Sequence, residues 1–350
     1  MRSVRVIALA ALLGCGATGT NGAGRDGPIE SHQGPMPDAI DLSRDLEATV
    51  LEGYSQLSLG NLEAYGDTVA DDVPIVLIGM GPADVHIGGK SEAPLEAFRI
   101  DPCLDVLSKN LEVHLSRDRS VGWTFDDVSC RVPDPFEGRN ASIPLRVTAV
   151  YQRHLDSWVL VAQHVSYALP IDEVIARARA GNSSRPAAID RAIDRGDGVR
   201  KLISSSVRGV IADRARYRER KIATDAMSLV LWPGPDEEYH GSQVATAPAL
   251  EQLFGEGATV KPLGMQIGVA RNMQIAWIAA NLRISTIVND DPITMVLRAT
   301  YVYERRDDSP GLWTQVQAHV SAPIVQGDLS KRVFGLEIPD LSNLAPSPGE

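Results

Sequence analysis

The chain has no apolar run long enough to cross a bilayer, no excess of basic charge, and only three cysteines in 350 residues. Each shortage excludes something. The apolar stretch at residues 6–13 is far below the roughly 20 residues that a spanning helix requires, so it cannot persist as a membrane helix in the mature chain. Lys and Arg number 34 against 45 Asp and Glu, which removes any general attraction to phosphate backbones, and nucleic acid is not expected as a partner. The arginine-dense run around Arg214, Arg216, Arg218 and Arg220 is interleaved with Asp213 and Glu219 and reads as a solvated helix face. Histidines and carboxylates occur without the tight spacing of a metal site, so neither a metal nor another cofactor is expected.

What is present begins at the N-terminus. Arg2 and Arg5 precede the apolar run and Leu12-Leu13-Gly14-Cys15 closes it, the order of a secretory signal. The box resembles a bacterial lipoprotein signal, in which the chain is cut before the cysteine. That resemblance implies a signal peptide at 1–14, acylation of Cys15, and attachment to the cell envelope through the lipid alone. Several acyl chains make such an anchor effectively permanent. An ordinary signal peptide with a coincidental cysteine is the alternative. Gly16 stands where some inner-membrane lipoproteins carry aspartate, which favours the outer membrane. Setting Cys15 aside leaves Cys103 and Cys130, an even pair in an oxidising compartment. They are candidates for a disulfide, with two buried free thiols as the alternative.

The Gly- and Pro-rich residues 15–40 have too few apolar side chains to bury and read as a flexible tether. Beyond it the length suggests two domains at about 150 residues each, and a repeat supports this. Leu145-Arg146-Val147-Thr148-Ala149-Val150-Tyr151-Gln152-Arg153 returns as Leu297-Arg298-Ala299-Thr300-Tyr301-Val302-Tyr303-Glu304-Arg305, each followed by a Trp-led strand ending in His-Val-Ser. Gly81-Pro82 likewise returns as Gly234-Pro235.

In the first copy, Leu42, Leu46, Val50, Tyr54 and Leu57 recur at helical spacing, with Asp41 or Ser43 as candidate caps. A short helix at 62–70, a strand at 73–78 and a helix at 91–98 follow, and then strands at 111–115, 120–132, 142–153 and 158–167. A helix at 171–180 and a Gly/Asn/Ser linker lead to the second copy, which opens with helical spacing at Leu202, Ile203, Val207, Val210 and Ile211. Helices followed by a strand meander indicate an α+β fold, with helices packed on one face of a curved antiparallel sheet. The expected domains are 41–170 and 197–325, joined by 171–196, with an irregular tail at 326–350.

The Ile/Val strand entering a Gly-Pro-acid loop, the aromatic strands Val121-Gly122-Trp123 and Ile275-Ala276-Trp277, and the repeated hairpin with its terminal His-x-Ser resemble the SnoaL-like branch of the nuclear transport factor 2-like superfamily. The resemblance implies two tandem cones, each with an apolar interior, paired through their outer sheet faces as an intrachain pseudo-dimer. Members include cyclases, isomerases, dehydratases, association domains and modules without chemistry, so the fold leaves function open.

Enzymes of this kind use a carboxylate inside the cone. Asp84 and Asp236, with Glu237 beside it, follow the Gly-Pro loops and are the candidate bases, although Asp after Gly-Pro is also an ordinary turn former. Strand alternation places Leu145, Val147, Ala149 and Tyr151 inward, with Leu297, Ala299, Tyr301 and Tyr303 repeating them. Val159, Val161 and Val165 group as one face of the last strand, and Trp313, Gln315, Gln317 and His319 as the opposite face of its copy. Trp123, Tyr151, Trp277, Tyr301 and Tyr303 are therefore the ligand-pocket candidates. Arg146, Thr148, His164, Arg298, Thr300 and His319 are candidates for the inter-domain face. With no acid/base set shared by the two copies, the first reading is a non-catalytic module for a small apolar ligand or another envelope protein. The alternative is a pocket enzyme of isomerase, cyclase or dehydratase type with an Asp base.

Overall fold

Asp38 rather than Asp41 or Ser43 caps the first helix: its carboxylate accepts from the Ile40 amide at the start of α1 (Ala39–Ser58), filling one of the donors a helix start leaves open. The buried stripe of α1 is Leu42, Leu46, Val50 and Tyr54, four positions three or four residues apart that turn one face to the sheet. The computed structural model describes residues 38–133, 140–181, 186–189, 222–306 and 313–335. The signal and tether with Cys15, the arginine-dense run, the helical spacing at 202–211, most of the linker and the tail beyond 335 lie outside the described residues.

After α2 (Leu62–Asp67) come β1 (Ile75–Ile78), β2 (Val85–Gly88), β3 (Asp105–Ser108), β4 (Glu112–Leu115), β5 (Val121–Pro133), β6 (Asn140–His154), β7 (Ser157–Ser166) and α3 (Ile171–Arg179). The second half repeats the strands as β8 (Leu229–Leu231), β9 (Glu238–His240), β10 (Thr259–Val269), β11 (Ile275–Val288), β12 (Asp291–Arg305) and β13 (Trp313–Ser321). A short helix α4 (Leu250–Leu253) lies between β9 and β10. The first sheet runs β2-β1-β7-β6-β5-β3, with β4 also on β5, and the second β10-β11-β12-β13-β8-β9. The architecture is α+β, but neither sheet is purely antiparallel: β1 runs parallel to β7 and β8 parallel to β13. In each copy the first strand, β1 or β8, lies beside the last strand of the meander.

Three further local expectations change. Residues 91–98 form two 3-10 turns, Lys90–Glu92 and Leu95–Phe98, rather than one helix; Pro94 between them has no amide to continue the ladder. The tail is not irregular from its start, because α5 (Gln326–Phe334) forms and ends on Gly335 at φ 68°, the left-handed cap that glycine adopts without strain. Arg177 of α3 pairs with Asp328 of α5 at 2.9 Å.

The third change concerns β7 and β13, each of which carries one extra residue. Val150 pairs with Ala162 but Tyr151 with Leu160, and Val302 pairs with Gln317 but Tyr303 with Gln315. Val161 and Val316 are thus bulged, and alternation reverses across them. The grouping of Val159, Val161 and Val165 on one face is broken, and Gln315 falls opposite Tyr303 rather than with His319. Cys103 and Cys130 are joined as a disulfide across the approach to β3 and the end of β5, Cα atoms 5.2 Å apart.

Candidate functional site

Register fixes which face each side chain takes. Thr148 pairs with His164 and Thr300 with His319, so these four share the outer faces of their sheets, and those faces pack on one another. Thr148 Oγ1 lies 2.9 Å from His319 Nδ1, and Ser166 Oγ 2.7 Å from His319 Nε2. The mirror set joins His164 to Thr300 at 3.1 Å and to Ser321 at 2.8 Å. Phe125 of the first sheet packs with Leu229 and Leu231 of the second. Burial holds both imidazoles well below their ordinary value, with Arg298 and Arg146 acting in the same direction on His164, and His164 and Arg146 on His319.

The two arginines cross the same interface. Arg146 donates to the Trp232, Pro233 and Gly234 carbonyls at 2.9, 3.2 and 3.1 Å. Arg298 donates to Gly79, Gly81, Pro82 and Asp84 carbonyls at 3.0, 2.7, 2.6 and 3.3 Å. Each domain's hairpin arginine therefore closes the other domain's Gly-Pro loop. Burial pushes Arg298 down to about 10, a shift that the nearby Asp84 carboxylate opposes.

The tryptophans do not face the interiors of their own cones. Trp123 pairs with Val150 and Trp277 with Val302, which puts both on the outer, inter-domain side; Trp123 Nε1–H donates across it to Met227 O at 3.2 Å. Tyr151, Tyr301 and Tyr303 do point inward, but into packed core, all 5% exposed or less. The inward side also carries a carboxylate that alternation alone did not single out. Asp126 lies opposite Val147, is 1% exposed, and accepts from the Lys109 and Asn110 amides, while its Oδ2 has no partner. Burial raises its carboxyl above the ordinary range. Ala280, opposite Ala299 in β11, holds the corresponding place in the second domain.

An open cleft of about 430 Å³ lies elsewhere, at the mouth of the first domain. Leu77, Ile100 and Val165 give it an apolar floor, and Asp84, His86, Glu96, Arg99 and Asp101 a charged rim. It forms because the Leu95–Phe98 turn arches over β1 and β7, with Gln163 between them. Asp84 is exposed and its Oδ2 accepts from the Gly81 amide at 2.6 Å. The carboxylate thus ties its own turn rather than standing free in an apolar cone. Asp101 is raised by partial burial and by Asp84, with Arg99 opposing.

The second domain differs at the matching positions. Leu77 lies between Gln163 and His86; Val230 lies between Ala318 and Tyr239. Trp232 therefore stands where the first domain has Gly79, and its Nε1–H donates to Pro248 O at 3.0 Å. Pro248 corresponds to Pro94 of the cleft lining. The match to Asp84 is Glu237, which accepts from the Gly234 amide at 2.8 Å; Asp236 is exposed on the loop. Sequence reading placed the Gly-Pro loops but passed over Arg99 and Asp101, which share the connection after the Leu95–Phe98 turn, and Gln163, which comes from β7. The Gly79-to-Trp232 exchange was legible once the loops were aligned.

Among the described residues, no group of three or more His, Cys, Asp or Glu is placed to hold a metal ion, and no helix is long and apolar enough to cross a membrane.

Residues 211–325 match the family model of the SnoaL-like domain, so the second half carries such a domain. Solved structures with a similar fold include a candidate dehydratase of the NTF2-like family from Streptomyces avermitilis, 14% identical over 38% of this chain and 99% of its own, with a TM-score of 0.32. The association domain of CaMKII from C. elegans is 15% identical over 37% of this chain and 99% of its own, TM-score 0.28. An NTF2-like protein with a cystatin-like fold from Novosphingobium aromaticivorans is 12% identical over 37% and 82%, TM-score 0.29. No curated protein matches the chain in sequence.

Proposed function

We propose that this is a lipid-anchored envelope protein that binds a small molecule in the cleft of its first domain, the second domain serving as a built-in structural partner. One observation carries the reading: at equivalent positions one domain has an open cleft and the other has Trp232 reaching to Pro248. A cavity of about 430 Å³ is within the usual range for a small ligand. Its apolar floor suits a hydrophobic body, and the rim carboxylates Asp84, Glu96 and Asp101 outnumber Arg99, so a donor or cationic end is favoured over an anion.

Binding is preferred over catalysis because the carboxylate best suited to chemistry by burial, Asp126, is not part of the cleft lining, and Asp84 is engaged by its own loop. Saturation-transfer NMR with benzylamine, benzyl alcohol and benzoate tests the site. Benzylamine should give the strongest transfer, and Ala97→Trp, which places an indole in the cleft, should abolish it. Undiminished transfer in Ala97→Trp would sink the proposal. The anchor has a separate test: Cys15→Ser should move the protein from the detergent phase to the aqueous phase, and unchanged partitioning would refute it.

A further inference from the structure

We infer that the cleft is completed from the opposite domain, with Arg298 as the positioning residue of its rim; this rests on the cleft being the ligand site. The rim loop turns between β1 and β2, and Gly79, Met80, Ala83 and Asp84 all line the cleft. Its backbone oxygens face the other way. Arg298, fully buried, gathers the carbonyls of Gly79, Gly81, Pro82 and Asp84 at 2.6 to 3.3 Å. The remaining carbonyl of the turn apart from Ala83, that of Met80, accepts from the Ile324 amide at 2.9 Å, and Pro82 O also accepts from the Ala187 amide at 2.7 Å. All these donors lie outside the first domain's sheet.

Four carbonyl dipoles converging on one point repel each other unless a cation sits there, and a planar guanidinium with a fork of donors can serve them at once. The loop's own ties are local: Gly79 N–H to Asp84 O at 2.8 Å, Asp84 N–H to Gly81 O at 3.1 Å, Val85 N–H to Ala83 O at 2.8 Å, and the Asp84 carboxylate on the Gly81 amide. The conformation that presents Met80 and Asp84 to the cleft is thereby held by the second domain. Ligand binding and domain pairing are coupled through this contact.

Pseudo-symmetry supplies a matched control. Arg146 makes the same kind of contact with Trp232, Pro233 and Gly234, and the Leu169 amide, the counterpart of the Ile324 amide, donates to Pro233 O at 2.9 Å. That loop borders the place filled by Trp232. Arg298→Lys and Arg146→Lys each keep a charge but replace a planar fork by a compact ammonium that cannot span the same carbonyls.

The test uses the full chain, with benzylamine as the probe and amide hydrogen exchange as a second readout. Both variants should lose thermal stability to a similar degree. Only Arg298→Lys should weaken benzylamine binding, by roughly tenfold or more, as expected when positioned groups shift by part of an ångström. Only Arg298→Lys should speed exchange across residues 79–85, and Arg146→Lys should do so across 232–237. Equal effects of the two variants on benzylamine, or no effect of Arg298→Lys, would overturn the inference. If wild-type protein fails to bind benzylamine, or Ala97→Trp still binds it, the cleft reading fails instead. Hydrogen exchange then decides the rim: unchanged protection of 79–85 in Arg298→Lys overturns its positioning by that residue.

Discussion

The imidazole rings of His164 and His319 stack across the two domains, their centroids 3.9 Å apart and their planes inclined by 20°. All four ring nitrogens lie within hydrogen-bond distance of a Thr or Ser hydroxyl of the other domain. On each neutral ring one hydroxyl donates to the bare nitrogen and the other accepts from the N–H, so both rings are satisfied. A second proton on both would place two cations face to face with Arg146 and Arg298 nearby, in a site where burial already penalises charge.

Acid should therefore unpair the domains before it reaches the ordinary range of carboxylates. For a base whose folded value lies below the unfolded 6.5, the unfolded chain binds more protons below that value, so stability is complete above it and falls as pH drops. The expected loss is about 1.4 kcal/mol per pH unit for each histidine. Urea midpoints between pH 7.5 and 5.5 measure it, and the His164→Gln/His319→Gln double variant should flatten the curve. A wild-type midpoint independent of pH through this interval would contradict the buried neutral pair.

The Cys103–Cys130 bridge closes a segment with a sequence separation of 27. Chain-entropy reasoning puts its contribution at about 3.5 kcal/mol. Cys103→Ala/Cys130→Ala should lower the urea midpoint accordingly, and reductant should then have no further effect on the variant. A variant as stable as the oxidised parent would mean that the β3–β5 pairing alone fixes this edge.

Gly122 faces α1 with no room for a side chain: a Cβ there would lie 2.2 Å from Leu46 Cδ2 and 3.2 Å from the His114 carbonyl. Gly122→Ala should cost about 1–3 kcal/mol through overpacking, read as a lower midpoint at unchanged m-value. Combined with Leu46→Ala, which removes the nearer obstacle, the loss should be smaller than the sum of the two single losses. Additive losses from the two changes would count against direct contact.

The parts legible in the sequence were those set by repetition and period. Leu42, Leu46, Val50 and Tyr54 show the buried stripe of α1, and the two Arg-x-Thr hairpins show the duplication. Arg146 and Arg298 could be assigned to an outer face because single-residue alternation holds along β6 and β12. The tryptophans were misplaced because an aromatic on a strand looks the same whichever way it points, and only pairing with Val150 and Val302 decides it. The bulges at Val161 and Val316 leave no mark on composition, yet they reverse the faces beyond them. The cleft was hidden for a different reason: Asp84, Asp101 and Gln163 belong to three separate segments that only the folded β1–β7 pairing brings together.

Trp232 offers the sharpest test of how the domains diverged. Its indole is 7% exposed and is hydrogen-bonded to Pro248 O, occupying the position that Gly79 leaves open in the first domain. Trp232→Ala should destabilise the protein by about 3–5 kcal/mol, combining lost transfer energy with the void left behind. A void of that shape, lined by apolar groups, can be refilled, since anything that binds the folded state alone raises its stability by mass action. Indole at saturating concentration should therefore raise the midpoint of Trp232→Ala by more than that of wild type, which has only the first-domain cleft to offer. Equal responses of the two proteins to indole would show that the Trp232 side chain does not occupy a space corresponding to the cleft.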